Sequence, residues 1–393
     1  MKKTNSKSSI NTHFPIDWKV KSVSKAFNIC NNLRLPISEE ERKKIRGIYP
    51  YYGPTKVQDY INQYKLEGQY VLIGEDGDHF LKWKDLPMTL LIKGRFNVNN
   101  HAHIIQGDEN LTEWFFYYFN HKELTPYLTR QGAGRYKLTK ESLSKIPILL
   151  PSLEEQHVIT TCLSTWDNSI NKTQQLISAK EQQKKGLMQL LLTGKKRLKG
   201  YNNEWKETYL GELFKERNET KYFDLPLLSV GASGIYPQSD SIKKDTSNED
   251  KSKYRRICPG DIGYNTMRMW QGRSALSSME GIISPAYTVV IPNKNTDSLY
   301  FSYLFKTPKL TNLFWRNSQG LVDDTLNCKF KDFSLVKILV PPNVKEQIAI
   351  ARVLQSADNE IQLLKTKLDN IKEQKRGIMQ LLLTGKKRLK VKP

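Results

Sequence analysis

The chain has 393 residues and a formal net charge of +22, from 62 Lys and Arg against 40 Asp and Glu. A hydrophobic fraction of 38% and an aromatic fraction of 10% exclude a disordered chain and predict two or more folded domains. The charge favours a polyanionic partner, because clustered Lys and Arg release counterions from phosphates; combined with the aromatic content, it indicates nucleic acid.

Other broad classes find no support in the sequence. The first 15 residues are polar and basic and lack the apolar core of a signal peptide, and no apolar run is long enough to span a bilayer. The four cysteines lie far apart without a CxxC pair, which suits a reducing compartment and gives no zinc pattern. We therefore expect a cytoplasmic protein.

The first globular segment is predicted to cover residues 14–145. It mixes β-like runs such as Tyr70–Ile73 with an aromatic helical stretch, Leu111–Phe119. Its polar and aromatic clusters suit DNA, since Arg, Asn and Gln read base edges while Lys and glycine-rich loops hold phosphates. Solvated loops or buried aromatics are the alternative for each residue. The candidate contacts are Tyr51, Tyr52, Lys56, Lys82, Lys84, Arg95, Asn99, Asn100, His101, His103, Arg130, Gln131, Arg135 and Lys137.

The first helical unit is predicted over residues 146–200. A short apolar strand ends at Pro151, and Ser152 with Glu155 forms a start like a capping box. Gly194 suits the position just after a helix, and the basic residues behind it suit the negative helix end. Apolar positions step by four and three residues, which predicts a coiled-coil-like seam. The pairing candidates are Ile159, Leu163, Trp166, Ile170, Ile177, Leu187 and Leu191.

The second half repeats this order, with a globular segment at 201–337 and a helical unit at 338–393. Its helix is predicted from Asn343 to Thr384. The second set of DNA candidates is Tyr264, Asn265, Arg268, Trp270, Gln271, Arg273, Ser284, Tyr287, Arg316, Asn317 and Gln319. The second set of pairing candidates is Ile350, Leu354, Ile361, Leu364, Leu368, Ile371, Ile378 and Leu382.

The two halves are copies of one unit. Residues 184–199 read KKGLMQLLLTGKKRLK and residues 375–390 read KRGIMQLLLTGKKRLK, at an offset of 191 between Gly194 and Gly385. Trp18 and Trp205 recur at an offset of 187. A period this long indicates two whole domains rather than a solenoid. The prediction is an α+β protein: two mixed α/β domains, separated by two long antiparallel helices, with an internal pseudo-twofold repeat.

We call the basic residues behind the two glycines, at 195–199 and 386–390, the basic hooks. Their near-identity argues against sequence-specific DNA reading by the hooks, because specificity for different half-sites would make the copies diverge. Phosphate contact and helix capping remain alternatives, but docking of two identical partner subunits explains identical surfaces better. The docking candidates are Gln156, Gln347, Lys195, Lys196, Arg197, Lys386, Lys387 and Arg388.

Signatures of catalysis are missing. There is no GxGxxG after a strand and no P-loop, and Val340-Pro-Pro-Asn343 at a helix start lacks the polar and aromatic ends of a methyltransferase loop. His101 and His103 have no Cys or carboxylate cluster to complete a metal site. The main alternatives to a non-catalytic subunit are a stand-alone methyltransferase or nuclease, and a bivalent DNA-binding regulator.

The chain resembles the specificity subunit of type I restriction–modification enzymes over essentially its whole length. The resemblance rests on the duplicated Pro-x-x-x-Glu-Gln helix starts at Pro151 and Pro342, on the duplicated hooks, and more weakly on Gln131-Gly132 and Gln319-Gly320. It implies that the two globular segments are target-recognition domains, that each reads one half of a split DNA site, and that the helices set the spacer between the halves. It also implies two modification subunits that methylate adenine with S-adenosylmethionine, and two restriction subunits that use ATP and Mg; this chain would bind no cofactor or metal.

Overall fold

The computed structural model describes residues 14–130, 135–231, 234–240, 247–322 and 325–390. The chain forms two compact units. The first combines Met1–Thr173 with Lys367–Pro393, and the second is Gln174–Thr366. Each unit therefore joins one globular segment to parts of both long helices.

The first globular segment is built on a six-stranded sheet of order β2-β7-β5-β6-β3-β4. A separate antiparallel pair, β1 with β8, joins the start of the segment to its end. The strands are β1 (Lys19–Ser22), β2 (Asn28–Ile29), β3 (Arg46–Tyr52), β4 (Val57–Ile61), β5 (Leu66–Gly74), β6 (Thr89–Val98), β7 (Ala102–Gln106) and β8 (Pro147–Leu150). The helices are α1 (Val23–Ala26), α2 (Glu39–Lys44), α3 (Thr112–Asn120) and α4 (Lys140–Lys145).

Aromatic side chains of α3 form much of the core of this unit. Trp114, Phe115 and Phe119 are fully buried, and the Trp114 indole N–H donates to the Leu149 carbonyl at 2.9 Å. Leu382, from the last turn of the chain's final long helix, lies in the same core. The globular segment and the helix thus share one hydrophobic core, which fixes the segment on the helix.

The second globular segment has a four-stranded antiparallel sheet of order β10-β17-β14-β15, with three smaller strand pairs. A long helix, α5 (Leu153–Leu191), precedes it, and α10 (Val344–Leu382) follows it. Its strands are β9 (Lys206–Tyr209), β10 (Phe214–Glu216), β11 (Leu228–Gly231), β12 (Gly234–Pro237), β13 (Arg255–Ile257), β14 (Ile262–Asn265), β15 (Ser274–Leu276), β16 (Gly281–Ile283), β17 (Tyr287–Pro292) and β18 (Lys337–Val340). Its helices are α6 (Leu210–Leu213), α7 (Ser298–Leu304), α8 (Pro308–Asn317) and α9 (Phe330–Ser334).

The long helices end as the sequence predicts. Gly194 and Gly385 have φ of +72° and +71°, the left-handed conformation that closes a helix. The Gly194 and Gly385 amides donate to the Leu191 and Leu382 carbonyls. Behind them the Lys196 and Lys387 amides donate to the Leu190 and Leu381 carbonyls, so two carbonyls of each last turn are satisfied. At the start of α5, Ser152 Oγ accepts from the Glu155 amide, but the Glu155 side chain is used elsewhere, so a full capping box is not formed.

The predicted seam positions face inward. Every one of the fifteen pairing candidates is buried or half-buried, whereas their helix neighbours are mostly exposed. In the first unit Asp167 pairs with Lys375 and Glu155 with Arg388. In the second unit Lys184 pairs with Asp358 and Lys180 with Glu360. In each unit the partner number falls as the residue number along α5 rises, so the two helix segments run antiparallel. The predicted fold class, two mixed domains with two packed long helices, is confirmed.

Candidate nucleic-acid interface and its supports

Three loops meet at one edge of the first globular segment. The Asn99 amide donates to the Tyr52 carbonyl, the Glu75 amide to the His101 carbonyl and the Leu138 amide to the Glu75 carbonyl. Backbone bonds thus bring together the β3–β4 turn, the β6–β7 turn and the strand-like segment around Lys137. The exposed candidates gathered here are Lys56, Asn100, His101, Arg135 and Lys137, and we call them the first loop cluster.

Other candidates at this edge are buried and serve the scaffold. Tyr51 is 1% exposed; its hydroxyl donates to the Leu35 carbonyl at 2.8 Å and accepts from the Ile37 amide at 3.1 Å. Asn99 accepts from the His101 amide and donates to Gln58, and therefore shapes the turn that carries His101. Buried side chains cannot reach a base, so Tyr51 and Asn99 leave the set of direct contacts.

His103 is also internal, and its surroundings fix its protonation. Its Nε2 lies 2.7 Å from the Leu138 carbonyl, which can only accept, so this nitrogen carries the hydrogen. Its Nδ1 then accepts from Asn31 and Arg34, at 2.9 and 3.1 Å. Burial lowers the pKa of His103, which keeps the ring neutral.

Glu75 provides negative charge beneath the cationic cluster. Its carboxylate lies 2.7 Å from Arg34 and 3.2 Å from Lys137. Burial raises the pKa of Glu75, but the bonds and charges of Arg34 and Lys137 outweigh it and hold the pKa below its usual value. The ionised Glu75 thereby positions Lys137, while His101 is positioned in the same way by Asp76 at 2.7 Å.

The remaining first-half candidates lie apart from these contacts or have other local partners. Arg95 pairs with Glu67 at 3.0 Å and lies over the Tyr64 ring, while Lys84 lies over Trp83. Lys82 is exposed at the end of a short turn; half-buried Tyr52 packs its edge against Phe96, and the guanidinium of Arg130 lies 4.9 Å from the Tyr136 ring. Gln131 lies outside the described residues.

In the second half, the β14–β15 connection gathers the candidates. Asn265 donates its amide to the Arg273 carbonyl and accepts from the Met267 amide, which shapes the connection, and Arg268 is half-buried within it. This connection packs on α8, and Trp270 donates to the Met267 carbonyl at 3.1 Å. Four exposed candidates lie on the connection and at the end of α8, and we call them the second loop cluster: Gln271, Arg273, Arg316 and Gln319.

Several second-half candidates support this surface instead. Tyr264 is fully buried and stacks on Phe333, with ring centroids 5.3 Å apart. Ser284 and Tyr287 bond to backbone atoms of Ala286 and Val230, and Asn317 donates to the Leu313 carbonyl. Tyr264 therefore leaves the set of direct contacts, and the other three have structural partners.

The sequence search missed a cleft beside this surface. It has a volume of about 530 Å³ and is lined by Asn218, Arg255, Thr266, Lys329 and Lys331, among others. Both lysines are exposed. The Lys-x-Lys spacing of Lys329 and Lys331 could have marked them as candidate phosphate contacts. They lie at the start of α9, close to the boundary with the second helical unit.

The duplicated tryptophans, glutamates and arginines meet in two matching clusters. In the first unit, Glu155 accepts from the Trp18 indole at 3.1 Å and from two nitrogens of Arg388 at 2.9 and 2.7 Å. Asp17 accepts from Arg388 as well, and these hydrogen bonds raise the pKa of Arg388. Glu155 is 1% exposed, so the basic hook of α10 neutralises a buried carboxylate at the start of α5.

The second unit repeats this cluster. Buried Glu346 accepts from two nitrogens of Arg197 at 2.7 and 2.8 Å and from the Trp205 indole at 3.3 Å. In each case the arginine follows the end of one long helix and the glutamate begins the other. The clusters therefore fasten helix to helix, and we call them the Trp-Glu-Arg fastenings.

A second pair of matching contacts joins α3 and α7 to the long helices. Tyr117 donates to Asp167 at 2.8 Å, and the other oxygen of Asp167 accepts from Lys375 at 2.5 Å. In the second unit Tyr303, Asp358 and Lys184 make the same contacts, at 2.7 and 2.6 Å. Burial, followed by the neighbouring aspartate, raises the pKa of Tyr117. The polar residues that interrupt the apolar seam thus hold the globular segments.

These contacts change the interpretation of the docking candidates. Gln156 and Gln347 are 1% exposed and bond to the backbone ahead of α3 and α7, at Leu111 and Asp297. Four docking candidates therefore have partners inside this chain: Gln156, Gln347, Arg197 and Arg388. These internal contacts account for the identity of the four residues in the two copies. Lys195, Lys196, Lys386 and Lys387 are exposed.

The described residues contain no group of three or more His, Cys, Asp or Glu that could hold a metal ion. In the same part of the chain, no helix is long and apolar enough to cross a membrane.

Duplicated mixed domains on paired long helices, each carrying a cationic and amide-rich loop surface, define a class of two-domain DNA-recognition proteins. The chain belongs to the type I restriction modification DNA specificity domain family, whose sequence profile matches it twice, at residues 15–182 and 202–373. It is therefore a DNA specificity subunit of a type I restriction–modification system.

Individual relatives agree with this assignment. The chain is 30% identical over 356 residues to the candidate type I restriction enzyme specificity subunit S.HindORF215P of Haemophilus influenzae, covering 86% of each chain. It is 24% identical over 412 residues to the type I restriction enzyme MjaVIII specificity subunit of Methanocaldococcus jannaschii, covering 96% and 94%. The crystal structure of the S subunit from M. genitalium shares the fold, with a TM-score of 0.61 at 14% identity, over 95% of this chain and 97% of that one.

Proposed function

We propose that this chain reads a bipartite DNA site, with residues 14–145 reading one half and residues 201–337 the other. The observation that carries the proposal is that each globular segment presents its own exposed loop cluster on a separately folded scaffold. The two loop clusters differ in residue type, although the Trp-Glu-Arg fastenings of the two units are alike. Such a pattern suits two readers with different targets on a common frame.

The long helices are proposed to set the spacer between the half-sites. Each has 39 residues, and at 1.5 Å per residue each is about 58 Å long. Within each unit the fastenings join the globular segment to both long helices. This supports the proposal that helix length sets the spacer. A spacer set in this way changes only when both helices change together.

The same proposal gives the chain no catalytic role. Modification subunits that methylate adenine with S-adenosylmethionine would dock on it, and restriction subunits using ATP and Mg would join through them. Exposed Lys195, Lys196, Lys386 and Lys387 remain available for docking or for phosphate contact. The alternatives remain a bivalent DNA-binding regulator, which would work without modification subunits, and a stand-alone methyltransferase or nuclease, which would bind S-adenosylmethionine alone.

The spacer is tested by removing one heptad from residues 168–183 and one from residues 359–374. A heptad keeps the seam in phase, and these ranges leave out the Tyr-Asp-Lys contacts of Asp167, Lys184, Asp358 and Lys375. It shortens each helix by about 10 Å, or about three base pairs of B-DNA. Methylation mapped in cells with the modification subunit should show a spacer shorter by about this amount. An unchanged spacer in a soluble, active complex would contradict the proposal.

The assignment of half-sites is tested by changing one cluster at a time. Lys137→Ala with Arg135→Ala should relax or weaken only one half of the methylated motif, and Gln271→Ala with Arg273→Ala only the other. Each pair serves as the matched control for the other. Loss of both halves with either pair, in a folded protein, would mean that the globular segments do not read independently.

A further inference from the structure

A groove of about 530 Å³ opens in the first unit, between α3, β8 and the last turns of α10. Its floor is apolar and aromatic, with Tyr118, Ile148, Leu149, Met379 and Leu383. It lies away from the loop cluster residues, none of which lines it. Neither DNA reading nor the fastenings account for an open apolar groove of this size.

The second unit has the same place filled. Its equivalent cavity has a volume of about 20 Å³ and is lined by Leu192, Thr193, Ile338 and Leu339. At the repeat offset of 191 these positions correspond to Leu383, Thr384, Pro147 and Ile148, all of which line the groove. The two spaces are therefore counterparts, and only one of them is open.

A helix fills the counterpart. In the second unit α8 places Leu310 and Leu313 in this space. The segment that provides it, residues 305–329, is six residues longer than residues 121–139 between α3 and α4. In the first unit, the described part of that segment forms one short turn, Thr125–Tyr127, whose Tyr127 stands at the groove wall. The fold itself thus shows what kind of element this place accepts: an amphipathic helix presenting leucines.

The groove wall also has a charge. The cationic residues Lys84, Lys122 and Arg376 line it, and no Asp or Glu does among the described residues. The Lys122 amine donates to the Tyr118 hydroxyl at 2.9 Å and lies 4.0 Å from its ring centroid, with no carboxylate of the described chain paired to it. Arg376 pairs with Glu373 at 3.0 Å, and both side chains are exposed. A carboxylate of a bound partner could therefore replace Glu373 in this ion pair. Burial lowers the pKa of Lys122 to about 8, as expected for an amine that lacks a counter-ion.

We propose that this groove binds an acidic amphipathic helix of a partner protein, with leucine-like side chains on its floor and carboxylates facing Lys122 and Arg376. The partner helix takes the place that α8 occupies in the second unit. This mode of binding, a helix laid with its apolar face in a groove, gains from burying apolar area and from the opposite charge at the rim.

The probe is a peptide with the sequence of residues 307–318 that carries Lys309→Glu and Arg316→Glu, with fluorescein on its N-terminal amine and an amidated C terminus. Fluorescence anisotropy measures its binding to the full chain. We expect saturable binding at least tenfold tighter than that of the unchanged basic peptide. An acidic peptide that also carries Leu310→Ser and Leu313→Ser should not bind. Equal binding of the acidic and basic peptides, or no binding of either, would overturn the proposal.

Chain variants locate the site. Arg376→Glu and, separately, Lys122→Gln should each weaken the acidic peptide at least fivefold, and Arg376→Glu should favour the basic peptide. Lys309→Glu, on α8 in the second unit, is the matched charge change and should leave binding unchanged. Circular dichroism confirms that each variant is folded. Acidic-peptide binding that is indifferent to both first-unit variants would place the peptide elsewhere and refute the groove. Because the assay contains no DNA, its outcome is separate from that of split-site reading.

Discussion

Replacing Arg197 with alanine isolates the energetic role of the basic hook. The change removes two hydrogen bonds to Glu346, a carboxylate with 0% exposed side chain, and leaves it only the Trp205 indole at 3.3 Å. Breaking a fully buried ion pair costs about 3–5 kcal/mol. Because the Arg197 side chain is 27% exposed, water can partly replace it, and we expect a loss of about 2–3 kcal/mol.

Urea unfolding of the full chain, followed by circular dichroism and tryptophan fluorescence, measures this loss. With a denaturant dependence of about 2 kcal/mol per molar urea, the midpoint of the second unit should fall by about 1 M or slightly more. Lys196→Ala is the matched control, since Lys196 is exposed on the same hook; it should change stability by less than about 0.5 kcal/mol.

A double variant separates the lost pair from the unpaired charge. Arg197→Ala with Glu346→Gln removes the buried charge as well, so the double variant should be more stable than Arg197→Ala alone. If Arg197→Ala behaves like Lys196→Ala, or if Glu346→Gln gives no recovery, the hook does not fasten the helices, and its near-identity in the two halves would again favour docking to a partner.

Three further outcomes follow from single sites. Gly385→Ala should destabilise the chain by more than about 1 kcal/mol, because φ of Gly385 is +71° and an added Cβ would lie 2.3 Å from Pro15. Gly377→Ala, inside α10 with open space around it, should stabilise the chain by about 0.5–1 kcal/mol. Thermal unfolding of both variants measures the difference, and equal effects would contradict a left-handed helix end at Gly385. Reductive methylation with ¹³C and an NMR titration should give one lysine resonance with a pKa of about 8 that is absent from Lys122→Arg, and a value near 10 for every lysine would refute the burial argument. The free energy of unfolding should fall as pH drops below 6.5, because His103 binds a proton in the unfolded chain while burial lowers its pKa in the folded chain. This fall should be smaller in His103→Gln. Identical pH profiles of the two proteins would exclude His103 as the source of the fall.

The sequence was sufficient for the features that repeat along it. The strand before each long helix, the seam and the glycine at each helix end all follow from local spacing, because these elements are governed by near neighbours in the chain. Tyr70–Ile73 and Leu111–Phe119 likewise lie in β5 and α3 almost as predicted. Lys375 also falls on the seam by this spacing, but the spacing does not show that its partner Asp167 bonds to Tyr117.

The fastenings required the fold. Trp18, Glu155 and Arg388 each stood out in the sequence, but Arg388 lies 233 residues from Glu155, and no local pattern reports such a contact. The sequence alone therefore favours a partner subunit as the reason for the repeated arginine of the hook, whereas in the structure Arg388 bonds to Glu155 of the same chain. The loop candidates show the same limit: Tyr51 and His103 have the residue types of DNA readers, and only the sheet register shows that they are buried.

The groove was hidden for a different reason. In the sequence the groove is marked by a difference between the two copies, namely the shorter segment after α3. A comparison of repeats brings out what the copies share and passes over such a difference. The length difference became meaningful only when α8 was found in the equivalent space of the second unit.

We propose above all that one chain reads both halves of a split DNA site and directs a methylating partner to it. The most direct test is the adenine methylome of a host without its own methylation, expressing this chain with its cognate modification subunit, and expressing each alone. The account predicts one bipartite motif that appears only when both are present. A continuous motif, or a motif made by the modification subunit alone, would contradict it.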